Sequence, residues 1–229
     1  MATVVFESST PLGSPSSLIV YYKYVKEMPV YQKSAKSFLT SIVEKYKEYV
    51  SLKLELHVSP FYGLRSSFVW QPVIDFDTPE SISVAKQFCK EELSSYSKYF
   101  VEVTGTSVHI VSRIAYGPIK EDEITVLREY LHERFRSYEH LDITSSIRHL
   151  PIRRVPSVDS TGRFVMRPVM VTQFLGSSYE ELIKQQVHSL PTRMQFGHIL
   201  ANYTLPRMLL PWTEAPWGAS KVVSGKTRV

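Results

Sequence analysis

The chain has 229 residues, 43% hydrophobic and 21% charged, a composition that builds a sizeable core and excludes wholesale disorder. Cys89 is its only cysteine, so an intramolecular disulfide is impossible and no zinc is expected. A net charge of +5 suits a polyanionic partner. No apolar run is long enough to span a membrane and the N-terminus lacks a basic start, so a cytoplasmic or nucleoid-associated protein with no membrane partner is expected.

In chain order, residues 1–16 are rich in Ser, Pro and Gly and read as irregular. Phe38, Leu39, Ile42, Val43, Tyr46 and Val50 recur at a helical period within Ser34–Leu52. Leu52–Val58 alternates as a half-buried strand does, and Pro60 and Gly63 mark a turn. Ser67–Asp77 reads as one strand, and Pro79-Glu80 open a helix running through Tyr96. Tyr99–Thr104 and Ser107–Ile114 read as strands joined by a tight turn at Thr104-Gly105-Thr106. Lys120–Tyr138 is a charged amphipathic helix, with Asp122 and Glu123 early and Arg134 and Arg136 late. From Leu141 to Val171 prolines and Gly162 break the chain into short strands and loops, and Ser178–Leu190 is a further helix. Pro206–Val229 is an irregular tail whose Trp212 and Trp217 suit a lid on the core, a docking patch or a base-stacking platform, with core or lid the default. Interleaved helices and strands with a tight hairpin predict an α+β, mixed α/β fold.

The run Val73-Ile74-Asp75-Phe76-Asp77 places two carboxylates at i and i+2, on one face of a strand. Like charges side by side repel, and Mg2+ or Mn2+ beside a phosphate substrate is the usual neutraliser. A helix N-cap at Asp77 is the commoner explanation of such a run taken alone. Ser107 and His109 form a second i, i+2 pair, a hydroxyl and an imidazole suited to phosphate oxygens. Asp142 follows in Leu141-Asp142-Ile143, and three carboxylates in one cleft can hold two metals. Between Arg148 and Pro168, five arginines (Arg148, Arg153, Arg154, Arg163 and Arg167) oppose the single acid Asp159, leaving 5 − 1 = +4. Arginine favours bidentate phosphate contact.

Taken in this order, the motifs resemble the archaeo-eukaryotic primase superfamily, above all its small catalytic subunit. That family runs hydrophobic-Asp-hydrophobic-Asp, then Ser-Gly…His, then Leu-Asp followed by a basic Pro-x-Ser-x-His-x-Lys-Thr-Gly loop. Here Leu141-Asp-Ile and Val155-Pro-Ser157-Val…Thr161-Gly162-Arg163 are similar to the third block, and the resemblance covers about residues 20–170. The loop departs from the pattern: Ser157-Val-Asp159-Ser-Thr-Gly162 is one residue shorter, carries an acid and lacks the lysine. The resemblance implies a primase-like catalytic core of two interlocked α/β lobes over 1–170, with 171–229 a helical and irregular extension packed on it. It implies a DNA primase or primase-polymerase, a template-dependent nucleotidyltransferase that makes primers on single-stranded DNA from nucleoside triphosphates. Asp75, Asp77 and Asp142 would be the catalytic carboxylates holding Mg2+ or Mn2+. Ser107, His109, Arg154, Ser157 and Arg163 would bind the nucleotide, and Arg148, Arg153 and Arg167 the nucleic acid. A second primase subunit or replication protein is an implied partner. The altered loop also admits an accessory subunit that binds nucleic acid or nucleotide and supports a catalytic partner.

Overall fold

The computed structural model describes residues 3–6, 20–23, 55–58, 61–64, 67–77, 79–103, 107–142, 152–153, 157–158, 164–165, 168–185, 192–195 and 206–225. Their strands are β1 (Thr3–Phe6), β2 (Val20–Lys23), β3 (Glu55–Val58), β4 (Phe61–Leu64), β5 (Ser67–Trp70), β6 (Val73–Asp77), β7 (Tyr99–Val103), β8 (Ser107–Ser112), β9 (Ile114–Ile119), β10 (Ile152–Arg153), β11 (Ser157–Val158), β12 (Phe164–Val165), β13 (Val169–Met170) and β14 (Met208–Pro211). The helices that matter to the site are α1 (Ile82–Glu92) and α2 (Glu121–Phe135), followed by the short α3 (Val171–Gly176), α4 (Tyr179–Lys184) and α5 (Ala219–Gly225). The architecture is mixed α+β, with sheets ordered β13-β7-β8-β6, β14-β9-β5-β4 and β1-β2-β3-β10, and a β11-β12 ribbon. The helical run anticipated over Ser34–Leu52 lies outside the described residues.

The stretch Ser67–Asp77, expected as one strand, is two. β5 and β6 belong to different sheets and break at Gln71-Pro72, because proline has no N–H to donate to a ladder. The expected strand Ser107–Ile114 divides at the same level, β8 ending at Ser112 and β9 starting at Ile114. The two crossings are stitched together. Ser112 donates its amide to the Pro72 carbonyl at 2.8 Å, and Gln71 Nε2 donates to the Ser112 carbonyl at 2.6 Å. Both residues are fully buried, and these bonds satisfy polar groups that burial would otherwise penalise.

Alternation sorts the β13-β7-β8-β6 sheet into two unlike faces. Ile74, Phe76, Val101, Val103, Val108 and Ile110 belong to the main core together with the buried stripes of both long helices. On α1 that stripe is Ile82, Ala85, Phe88 and Cys89; on α2 it is Ile124, Leu127, Leu131 and Phe135. Both follow helical spacing. Phe88 is the hub, 5.6 Å from Phe76, 5.0 Å from Phe135 and 5.1 Å from Tyr138 between ring centroids, all edge-on. The N-cap of α1 is Ser81, so Asp77 does not cap it.

The tail returns to the centre of the molecule. β14 pairs in parallel with β9, Met208 opposite Ile114 through Pro211 opposite Gly117. At Gly117 an added Cβ would lie 3.0 Å from Val69 Cγ2 and 3.2 Å from the Phe68 carbonyl. A side chain there would press on β5 where its register with β9 is irregular, and glycine avoids that pressure. Trp212 is buried, and Trp217 packs on the core beside Trp70, Phe88 and Phe135. No helix among the described residues is long and apolar enough to cross a membrane.

Candidate active site

The opposite face of that sheet is polar at one end. Glu102 on β7 pairs directly with His109 on β8, and His109 pairs directly with Asp75 on β6. One register step further, Asp77 pairs with Ser107. Beneath this polar row the same face carries Phe100, Val111 and Val73, which form a small apolar cluster of their own. The site therefore sits where one face of a strand triplet changes from apolar to ionisable.

Asp142 arrives from the end of α2. The turn after that helix places His140 at φ 62° and lays Leu141 against Phe76 as an antiparallel bridge. The Asp77 amide donates to the His140 carbonyl at 3.0 Å, and the Asp142 amide donates to the Asp75 carbonyl at 2.8 Å. Asp142 thus falls in register across from Asp75. The three carboxylates singled out in the sequence converge on the C-terminal end of β6, held there by backbone bonds rather than side-chain chance.

His109 is the most constrained group. Its Nε2 stands 3.2 Å from Asp75 Oδ1 and 3.1 Å from Ser107 Oγ, while Nδ1 stands 3.2 Å from Glu102 Oε2. Burial works against its positive charge, but the Asp75 carboxylate, followed by that of Glu102, outweighs it and raises the imidazole to about 10. His109 is therefore an imidazolium at neutral pH. Asp75 and His109 are only 8% and 4% exposed and Glu102 is wholly buried, whereas Asp77 is exposed and Ser107 and Asp142 are half-buried. Loss of hydration, then the charges of Asp75 and Asp142, hold the Asp77 carboxyl above its ordinary range, with His109 pulling the other way. Four acidic side chains (Asp75, Asp77, Glu102, Asp142) are thus gathered around one imidazole.

That donor chemistry suits a hard divalent cation, which takes oxygen ligands and relieves like-charge repulsion. Among the described residues no group of three or more His, Cys, Asp or Glu side chains is gathered at ligating geometry. The carboxylates fit Mg2+ or Mn2+ in kind and in convergence; a full coordination shell is not preformed. Compared with known proteins, the chain matches no family model and no curated protein.

Of the predicted phosphate and nucleic-acid contacts, Arg148, Arg154, Arg163 and Arg167 lie outside the described residues. For Arg153 and Ser157 the backbone alone is described, Arg153 opposite His57 in β10–β3 and Ser157 opposite Val165 in the ribbon. Glu102 is the site residue that the sequence argument missed. Its signal was a lone acid in the apolar strand Tyr99-Phe-Val-Glu-Val. The hairpin register pairs it with His109, and its role depends on that partner and on the pairing of β8 with β6, not on anything within its own strand.

Proposed function

We propose that the chain is a template-dependent nucleotidyltransferase with a primase-like core, joining nucleoside triphosphates into primers on single-stranded DNA. The observation that carries this reading is the convergence of Asp75, Asp77 and Asp142 at one strand end, beside Ser107 and His109. The reaction is attack of a 3′-hydroxyl on the α-phosphate of an incoming nucleotide, with pyrophosphate leaving. It asks the protein for positioning and charge neutralisation more than for covalent chemistry.

In this reading Asp75, Asp77 and Asp142 would hold Mg2+ or Mn2+, which when bound would polarise the phosphoryl oxygens and favour the alkoxide form of the attacking 3′-hydroxyl. Asp77, exposed at the strand end, offers its oxygens outward. Ser107, in register with Asp77, would donate its hydroxyl proton to a phosphate oxygen. His109 neutralises Asp75 from within the sheet and fixes its carboxylate. The arginines between Arg148 and Arg167 supply cations for the triphosphate and the template backbone.

The deciding experiment is primer synthesis on single-stranded DNA with ribo- and deoxyribonucleotides, comparing wild type with Asp75→Ala/Asp77→Ala. Incorporation by the wild type that vanishes in the double variant supports the assignment, and incorporation that survives it removes the carboxylates from catalysis. A chain that binds single-stranded DNA with a steep salt dependence but incorporates nothing would instead be the accessory subunit.

A further inference from the structure

We propose that Glu102 is a positioning residue of the candidate active site, holding His109 so that its other ring nitrogen fixes Asp75; this rests on the metal-binding reading of Asp75. Glu102 has no place in that reading's chemistry. It is wholly buried, between Val101 and Val103, whose side chains face the core on the other side of the sheet. A carboxylate in such a place is costly unless it is paired.

The sheet register explains what the carboxylate is for. Glu102, His109 and Asp75 are consecutive cross-strand partners on three neighbouring strands, so their side chains form one row across the sheet. With Nδ1 engaged by Glu102 Oε2 at 3.2 Å, the ring cannot turn about its own axis without breaking that bond. Nε2 is then held 3.1 Å from Ser107 Oγ in a hydrogen bond and 3.2 Å from Asp75 Oδ1 as an ion pair, whose geometry is not that of a hydrogen bond. Asp75 is anchored from two directions, by the imidazole on its side chain and by Asp142 on its backbone carbonyl. A ligand carboxylate oriented by an outer hydrogen-bonding partner is the recurring design of metal sites.

Position and charge are separable by substitution. Glu102→Gln keeps the reach and an acceptor oxygen for Nδ1–H but loses the charge. Glu102→Asp keeps the charge but withdraws it by one methylene. Two readouts apply. One is the His109 Nδ1–H resonance in protein carrying 15N-labelled histidine, assigned by its loss in His109→Gln. The other is Mn2+ affinity, from the paramagnetic resonance signal of free Mn2+, with Asp75→Asn as the reference for the site. Glu102→Gln is expected to keep the resonance and stay within about threefold of wild-type Mn2+ affinity, while Glu102→Asp loses the resonance and about 10–100-fold in affinity.

Glu102→Asp behaving as wild type, with Asp75→Asn still abolishing Mn2+ binding, overturns the inference and leaves the site reading standing. Glu102→Gln, folded by near-ultraviolet circular dichroism yet as impaired as Glu102→Asp, overturns it too, since charge and not position would then matter. Wild-type protein without Asp75-dependent Mn2+ binding overturns the site reading, and the inference with it.

Discussion

The Asp77 amide donates a 3.0 Å hydrogen bond to the carbonyl of His140, a residue held at φ 62°. That left-handed backbone costs a non-glycine residue about 1–2 kcal/mol, and here it sets the turn that lays Asp142 alongside β6. His140→Gly adopts the same φ without the Cβ clash and should leave thermal stability equal or higher. His140→Val, β-branched in the same turn, should cost about 1–2 kcal/mol more. It should also reduce nucleotide incorporation at temperatures where both variants remain folded. Denaturant midpoints paired with incorporation rates test this; a valine variant as stable as the glycine one would separate the turn from the site.

Function and stability should conflict at Asp77. Lost hydration and the neighbouring charges of Asp75 and Asp142 hold its carboxyl above the ordinary range. An acid whose folded pKa is raised is disfavoured when ionised, so it weakens folding once the pH exceeds that range. Asp77→Asn should therefore unfold at a higher temperature than wild type at pH 7, with the difference shrinking as the pH falls into the carboxylate range. Incorporation should drop by at least about 100-fold. Mg2+ should raise the wild-type melting temperature and do little for the variant. A destabilised Asp77→Asn at pH 7 would contradict the electrostatic account.

His109 makes the opposite prediction at alkaline pH. Its imidazole is buried, which lowers its proton affinity, yet Asp75 and then Glu102 raise it to about 10 from an ordinary 6.5. A group whose folded pKa is raised by partners contributes stability that is complete below its unfolded pKa and lost as the pH rises through the folded one. Unfolding free energy should accordingly fall between about pH 6.5 and 10, and His109→Gln should flatten that slope. Cys89, a buried thiol pushed up to about 12, adds its own alkaline loss above pH 9. It does so equally in wild type and variant, so the difference between the two urea series isolates His109.

The sequence carried the local half of this site and not the distant half. Spacing alone put Asp75 and Asp77 on one strand face, and Ser107 and His109 on another, because a strand's period of two is a local property. That these two faces meet depends on the pairing of β6 with β8, whose partners lie 30 to 38 residues apart in sequence (107 − 77 = 30 for Asp77–Ser107, 111 − 73 = 38 for Val73–Val111). Glu102 depended on the same distant pairing, because it joins the site only through His109 and the strand beyond it. The break of Ser67–Asp77 into two strands was marked by Pro72, yet the apolar run on both sides masked it. β14 was hidden for a different reason: a parallel partner of β9 recruited from 94 residues further along the chain (209 − 115 = 94, Leu209 opposite Ala115) has no local signature among Pro206-Arg-Met-Leu-Leu.

The tail offers the sharpest test of core against binding surface. Trp217 stands 6.1 Å from Trp70 and 5.4 Å from Phe135 between ring centroids, edge-on to both. Its indole N–H donates to the Glu92 carbonyl at 3.1 Å, at the end of α1, and its own carbonyl accepts from the Tyr130 hydroxyl at 2.6 Å, from α2. One residue therefore ties the tail to both long helices, the two that pack behind the carboxylates. To do so it sits at φ 57°, followed by Gly218 at φ 76°, strain that the packing must offset. Trp217→Ala should cost about 3–5 kcal/mol, a fall of roughly 6–20 °C in melting temperature for a chain of this size. Gly218→Ala, forced to a positive φ, should cost about 1–2 kcal/mol. A stacking platform for bases would give the reverse pattern, with weaker single-stranded DNA binding and unchanged melting. Because the tryptophan edge is committed to α1 and its ring to the core, the melting temperature should move first, and incorporation should fail only where the fold does.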